Sequence, residues 1–494
     1  MNFRIVIKIL GILAILIGIT MGACSLFAWW EAEQADATSL QTSARDAMAK
    51  STAISIGFGI ILFLVSLGGK TEVLRREAIL VVGLSWVEVS VLGMLPYLLC
   101  QHGLGFFDAL FESVSGFTTT GSTIMTNIEG YSNALLLWRS VTQWLGGIGI
   151  LVVFVAVLSF LGAGSKSLVA QESSLNINDA RKSRIRDVAF SLLKVYLGLT
   201  AICLTGLILL GMPAFESVCH AMCTIATGGF SPKNLSIGHY KDFGIEMWIA
   251  IFMFLSSIGF MLYVFVATGN WKRLRKEEEA RYYLLLVLVA VFAIALDLML
   301  ASTHFGYRQA LRDGFFNVIS ISSTTGFGAS DYSKWPLFSQ MLLMLLMLIG
   351  GCAGSTSGGI KMNRVILYLK TAQRELVRSF RPNQVFRIRL NGIAPDEQAL
   401  TTTSFFIALG FVLSGAACVV VSLLEPQLNM ISTIGCVFAT LFNIGPGFEA
   451  VGPMENFGFL NPTTKVVLSF LMILGRLEFF ALLVLFVPSL WKKY

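Results

Sequence analysis

Ten stretches of this 494-residue chain are each apolar for about the 20 residues that a helix needs to cross a hydrocarbon layer ~30 Å thick. They run over 5–28, 52–69, 78–100, 136–161, 188–211, 245–268, 282–302, 337–360, 402–424 and 465–489. Little water-facing surface remains: charged residues make up 13% of the chain, about half the share of a soluble protein, and mean hydropathy is +0.75. The fold class is therefore all-α and polytopic, embedded in membrane lipid. The first span is too long for a secretory h-region and is followed by Glu31, Glu33 and Asp36, which favours a retained helix.

Charge gives the orientation. Of 36 Lys and Arg, 25 fall in loops on the side of the termini, among them Lys70, Lys166, Arg181, Lys182, Arg184, Lys492 and Lys493. Cationic loops stay in the cytoplasm, so both termini are expected there, in a bacterial inner membrane. The net charge of +7 then needs no nucleic-acid partner. Eight cysteines lie mostly inside apolar runs without a CxxC pair and read as small hydrophobes. Cys219-His220 and Cys223 could begin a metal cluster but lack convergent ligands. With four His and no GxSxG, HExxH or Walker loop, an enzyme is not expected.

After the third, fifth, seventh and ninth spans comes a segment too apolar for a loop and too short to span. These read FFDALFESVSGFTTTGST (106–123), PAFESVCHAMCTIATGGFS (213–231), LRDGFFNVISISSTTGFGAS (311–330) and ISTIGCVFATLFNIGPGF (431–448). A short apolar helix running into polar backbone at membrane depth is re-entrant, tolerated where it lines a watery cavity. All four lie on one side. The glycines Gly121, Gly228, Gly326 and Gly445 recur at spacings of 107, 98 and 119, giving four tandem helix, pore helix, filter and helix repeats after two leading helices. The boundaries fall at 1–74 for the leading pair, then 75–165, 185–270, 280–390 and 400–494. Such a unit suits a cation: a short helix aims its partial negative end at the cavity, and the turn offers carbonyls that replace water of hydration. Outer acidic residues (Asp108, Glu112, Glu216, Asp313, Asp331, Glu449) either concentrate cations or are solvated loop charge.

FTTTGST, TIATGGFSP, SSTTGFGASDY and NIGPGFEAVGP resemble the four pore motifs of the Trk/Ktr/HKT family of potassium transporters. The resemblance runs from about residue 75 to the end, and the leading helix pair is similar to that of Trk-type membrane subunits. It implies K⁺ as the transported ion, no organic cofactor, a homodimer with one pore per chain, and a cytoplasmic nucleotide-binding regulatory subunit. It also implies a filter from Thr119, Thr120 and Gly121; Ala226, Thr227 and Gly228; Thr324, Thr325 and Gly326; and Asn443, Ile444 and Gly445. Relatives with Ser at the first glycine tend to admit sodium, so Gly at all four places suits a potassium-preferring member.

A second pattern follows each filter: Trp144–Gly147, Phe254–Ser257, Met347–Gly351 and Met472–Arg476. Three end on a small residue and the fourth on arginine, which in a membrane span is functional by default. Arg476 either ties helix carbonyls or Glu478 to the bundle, or stands as a fixed charge in the permeation path; the resemblance implies the latter, as a gate. In the third unit, Ile349–Ile360 holds Gly350, Gly351, Gly354, Gly358 and Gly359, too many for a good helix. It is expected to be a flexible intramembrane loop, a gate by resemblance, or else a packing kink. The basic stretch from Lys361 to Arg389 suits either membrane-surface charge or docking of the regulatory subunit. Coupling to H⁺ or Na⁺ would draw on the few buried carboxylates: Glu88, Asp297 and Glu478.

Overall fold

Apolar length dictates the architecture. The computed structural model describes residues 3–34, 38–67, 75–101, 103–160, 185–301, 306–384 and 386–491. Lys70, Lys166, Arg181, Lys182, Arg184, Lys492, Lys493 and the junction between the first two expected repeats lie outside them. Among the described residues the regular elements are helices, with two isolated β-bridges.

Helices α1 (Phe3–Ala32) and α2 (Ser39–Val65) form a leading antiparallel hairpin. Small residues let them meet: a side chain at Gly11 would strike Gly59 O and Phe63 N, and one at Gly59 would strike Ile15 N. Glu31 at the end of α1 accepts from Asn133 N and Ala134 N, capping the helix that follows the first turn.

Four units follow. The first comprises α3 (Arg75–Gly93, continued by Leu95–Leu99), the short α4 (Phe106–Phe117) and α5 (Asn133–Phe160). The second has α6 (Ile185–Leu209), short α7 (Ala214–Ile225), α8 (Phe243–Ser257) and α9 (Phe260–Ala267). The third has α10 (Glu279–Ala301), short α11 (Tyr307–Ser322), α12 (Leu337–Leu348) and α13 (Met362–Phe380). The fourth has α14 (Glu397–Leu424), short α15 (Met430–Leu441), α16 (Pro462–Arg476) and α17 (Phe480–Leu483).

Among the described residues six helices are long and apolar enough to cross a membrane unaided. Three of the ten expected spans are not single helices. The run 245–268 bends by 92° between Ser257 and Phe260, and 465–489 bends by 113° between Arg476 and Phe480. At the second bend Glu478 and Phe479 take φ of 53° and 59°, a left-handed step that ends any helix. The run 337–360 leaves the helix after Leu348. Hydropathy cannot see such breaks, because both halves are equally apolar.

The outer surface is apolar side chain, as lipid requires: Leu209, Leu300, Leu423 and Phe292 are all more than two-thirds exposed. The polar interior is concentrated at the four short helices, where Thr118–Thr120, Thr227, Thr324, Thr325 and Asn443 are fully buried.

Candidate ion site: a ring of four turns

Each short helix ends in the same way. One residue past its cap the backbone enters the left-handed region, at Thr119, Thr227, Thr324 and Asn443 (φ 52–58°). The next amide reaches back to the helix: Thr120 N to Ser115 O, Gly228 N to Cys223 O, Thr325 N to Ser320 O and Ile444 N to Ala439 O, at 2.9–3.0 Å. This is the Schellman termination, usually made with glycine. Three threonines in its left-handed place each cost on the order of 1–2 kcal/mol, strain of the kind that marks ligand sites.

A glycine at positive φ then follows: Gly121 (89°), Gly229 (78°), Gly326 (79°) and Gly445 (107°). The second turn corrects the register read from sequence. Gly228, expected to match the other three, instead occupies the place of Thr120, Thr325 and Ile444, and Gly229 is the matching glycine. Ala226 correspondingly sits at the helix cap, like Thr118, Ser323 and Phe442.

These glycines touch around a closed ring. A Cβ on Gly121 would come within 3.0 Å of Gly228 O; on Gly229, of Thr325 O; on Gly326, of Ile444 O; on Gly445, of Thr120 O. Each turn thus presses on the next in chain order, and the fourth presses on the first. Ser122 Oγ donates to Gly445 O at 2.7 Å, and Asn443 Nδ2 to Thr120 Oγ1 at 2.9 Å, across the closing seam.

The arms rising from the turns are fixed by one position in each short helix, seven residues before the left-handed step. Glu112 accepts from Thr123 Oγ1 and Ile124 N; His220 Nε2 bonds Ser231 Oγ at 3.0 Å; Asn317 Nδ2 donates to Ser330 Oγ at 3.0 Å; the fourth place is Cys436. With Nδ1 on Glu216 O, both His220 ring nitrogens are engaged. Cys219 and Cys223 are fully buried free cysteines, and among the described residues no group of three His, Cys, Asp or Glu side chains comes together. Several outer carboxylates are paired: Glu112 with buried Arg139 (2.7 Å), Asp108 with Lys465 (2.5 Å), Glu216 with Lys233 (3.1 Å) and Asp331 with Lys334 (3.0 Å). Their field at the mouth is correspondingly reduced.

Beneath the ring, small residues let the second helix of a unit pass under its short helix. A Cβ on Gly146 would strike Phe117 O and one on Gly475 would strike Leu441 O. Residues 349–360 form a compact loop, closed at its neck by Gly350 N to Ile360 O (2.9 Å) and Ile360 N to Leu348 O (3.2 Å). Cys352 N donates to Ser257 O, Phe260 N to Gly354 O, Thr356 Oγ1 to Ile225 O and Gly358 N to Thr324 Oγ1, at 2.6–3.0 Å. Glu279 Oε1 accepts from Ala353 N and Asn363 N, bracing the loop at its middle and at the start of α13. Gly354 and Gly359 take positive φ (72° and 68°), while Gly350, Gly351 and Gly358 sit where a Cβ would meet backbone.

Arg476, 3% exposed at the end of α16, donates to Thr356 O at 2.8 Å and Gly146 O at 3.4 Å. It therefore ties loop tip to first unit. Glu478 is not its partner: that carboxylate pairs with Arg364 at 2.5 Å. Asp297, part-buried, accepts from Ser339 N and Oγ.

The sequence reading missed Gly229, hidden by its neighbour Gly228, and also Gln143, whose amide reaches the second turn. A polar residue on an otherwise apolar helix was the available signal.

The fold has counterparts. The crystal structure of the potassium transporter TrkH from Vibrio parahaemolyticus superposes with a TM-score of 0.88 at 30% identity, covering all of both chains. The chain is 35% identical over its full length, and all of the relative's, to the Trk system potassium uptake protein TrkH of Salmonella typhimurium. It is also 35% identical to TrkI of Halomonas elongata over 83% of each. The family model for TrkH, described as a cation transport protein, matches residues 45–493. A family match over nine-tenths of the chain, together with full-length relatives, settles its kinship: the chain belongs to the TrkH family of membrane cation transporters.

Proposed function

We propose that this protein carries potassium into the cell through the ring of four turns, without chemistry on the ion. The observation that carries the reading is ring closure: four strained turns, one from each unit, meet backbone to backbone at Gly121, Gly229, Gly326 and Gly445. Carbonyls of Thr119–Thr120, Thr227–Gly228, Thr324–Thr325 and Asn443–Ile444 replace the ion's hydration water there. The four pore units and the leading helix pair are the functional divisions of the chain.

Loop 349–360 and Arg476 form the barrier below. A buried guanidinium repels a cation, and its bond to Thr356 O holds the loop under the ring. Flux follows when that tie is released. The drive is the membrane potential, ~2.3 kcal/mol per charge per 100 mV, sufficient for uptake with both termini cytoplasmic. α13, with Lys370, Arg374 and Arg378, presents the cytoplasmic face on which a nucleotide-binding regulatory subunit docks, and the protein works as a homodimer in the inner membrane.

Purified protein in liposomes, loaded for K⁺ or Na⁺ uptake with and without a proton gradient, tests this. Potassium uptake driven by potential alone is expected. Uptake that requires the proton gradient would replace the channel-like reading with symport.

A further inference from the structure

The helix behind each turn carries a five-residue pattern in the same register: Gln143–Gly147, Met253–Ser257, Met347–Gly351 and Met472–Arg476. Its first position is methionine in three units, fully buried each time, and glutamine in the first, also fully buried. One helical turn earlier the same contrast recurs. Ile249, Leu343 and Leu468 are fully buried, while the first unit holds Arg139. The back of the ring is thus apolar behind three turns and polar behind one seam.

The polar pair is fully engaged. Arg139 Nε meets Glu112 Oε1 at 2.7 Å, its NH1 donates to Ser231 O at 3.0 Å, its NH2 to Thr123 Oγ1 at 3.2 Å, and its guanidinium lies 3.9 Å from the centre of the Phe230 ring. This joins the rising arms of the first and second turns. Gln143, four residues on and on the same helix face, does the finer work. Its Nε2 donates to Gly228 O at 2.6 Å and its Oε1 accepts from Phe230 N at 3.0 Å. Gly228 O is one of the four equivalent ring carbonyls, the others belonging to Thr120, Thr325 and Ile444. It is also the carbonyl against which Gly121 packs.

We infer that Gln143 is a specificity-determining positioning residue: its amide holds the Gly228 carbonyl and makes the seam between the first two turns the one that sets ion discrimination. The inference rests on the potassium-filter reading above. Two effects of the bond act in the same direction. It fixes the carbonyl in place, so that the ring resists contracting around a smaller cation. It also draws on the carbonyl's lone-pair density and weakens the field that would reward the smaller, more tightly hydrated ion. A methionine behind the other turns can do neither, since a thioether donates no hydrogen bond.

Gln143→Met makes the first unit like the other three, and Gln143→Leu removes the donor to Gly228 O with another apolar side chain of similar size. Both variants and Met253→Leu are reconstituted beside the parent, and the ratio of potential-driven K⁺ to Na⁺ uptake is measured in each. The ratio is expected to fall about fivefold in both Gln143 variants, the size of one net hydrogen bond, and to stay at the parental value in Met253→Leu. An unchanged ratio in folded Gln143→Met and Gln143→Leu overturns the inference, as does an equal fall in Met253→Leu. A parent that does not itself discriminate K⁺ from Na⁺ would instead remove the filter reading.

Discussion

The four turns close on one another, backbone against backbone, whereas residues 349–360, directly below, close on no copy of themselves and combine tight packing at Gly351 and Gly358 with hydrogen bonds to the second, third and fourth units. Adding one carbon at Gly229 would collide with Thr325 O, while removing one donor at Arg476 would free Thr356 O. Both regions are unwound chain inside a membrane, which is tolerated where protein or a water-filled cavity surrounds the backbone. The contrast separates a closed ring from a loop whose ties include side-chain hydrogen bonds that a single substitution removes. A selective ring needs the first property and a gate the second.

The largest effect should come from adding an atom to the ring. Gly229→Ala is expected to lower K⁺ uptake at least ~100-fold, the equivalent of roughly 3 kcal/mol of strain and collision. Gly228→Ala, whose new Cβ meets the side-chain end of Gln143 rather than backbone, should lose less. Uptake assays on both would reverse the register of the second turn if the order came out the other way. Next is the loop's main tie. Arg476→Ala removes a charged donor from Thr356 O, and K⁺ uptake should rise about tenfold; a folded variant with parental flux would take the arginine out of the gate.

Gly121→Ser tests the ring more gently, at the seam with Gly228. Its Cβ forces that seam wider, and Na⁺ uptake relative to K⁺ should rise about fivefold; equal flux ratios in variant and parent would show that the seam tolerates a side chain. The smallest change is expected at the loop's carboxylate brace. Glu279→Ala strips the acceptor from Ala353 N and Asn363 N, and basal K⁺ leak should grow about threefold. A leak larger than that of Arg476→Ala would move the principal tie from the loop tip to its base.

Much of this organisation is legible in the residues. Apolar length and the recurring Gly turns give the spans and the four short helices, because both are one-dimensional properties of a chain in lipid. Register in the second turn is not, since Thr227-Gly228-Gly229 offers two glycines and only the backbone angle chooses between them. The bends after Ser257 and Arg476 escape for a related reason: a break between two apolar helices changes no average. Pairings lie further out of reach. Glu112 and Arg139 are 27 residues apart, Asp108 and Lys465 357, and no local pattern marks either as a pair. The outer carboxylates therefore read as free charge, and Glu478 as a partner for its near neighbour Arg476 rather than for Arg364.

The seam between the fourth turn and the first joins residues 323 apart. A ribosome releases the first turn long before the fourth exists. Until Gly445 and Asn443 arrive, Ser122 and Thr120 face an open gap, and three turns stand as an unfinished bracket of buried hydroxyls and carbonyls in the insertion machinery. Completion of the last unit is then a single late event that closes the ring, seats Arg476 on Thr356 and lets the bundle leave. Chains truncated before the fourth unit should be recognised as unfinished by that exposed polar edge, which gives quality control a clear mark to read.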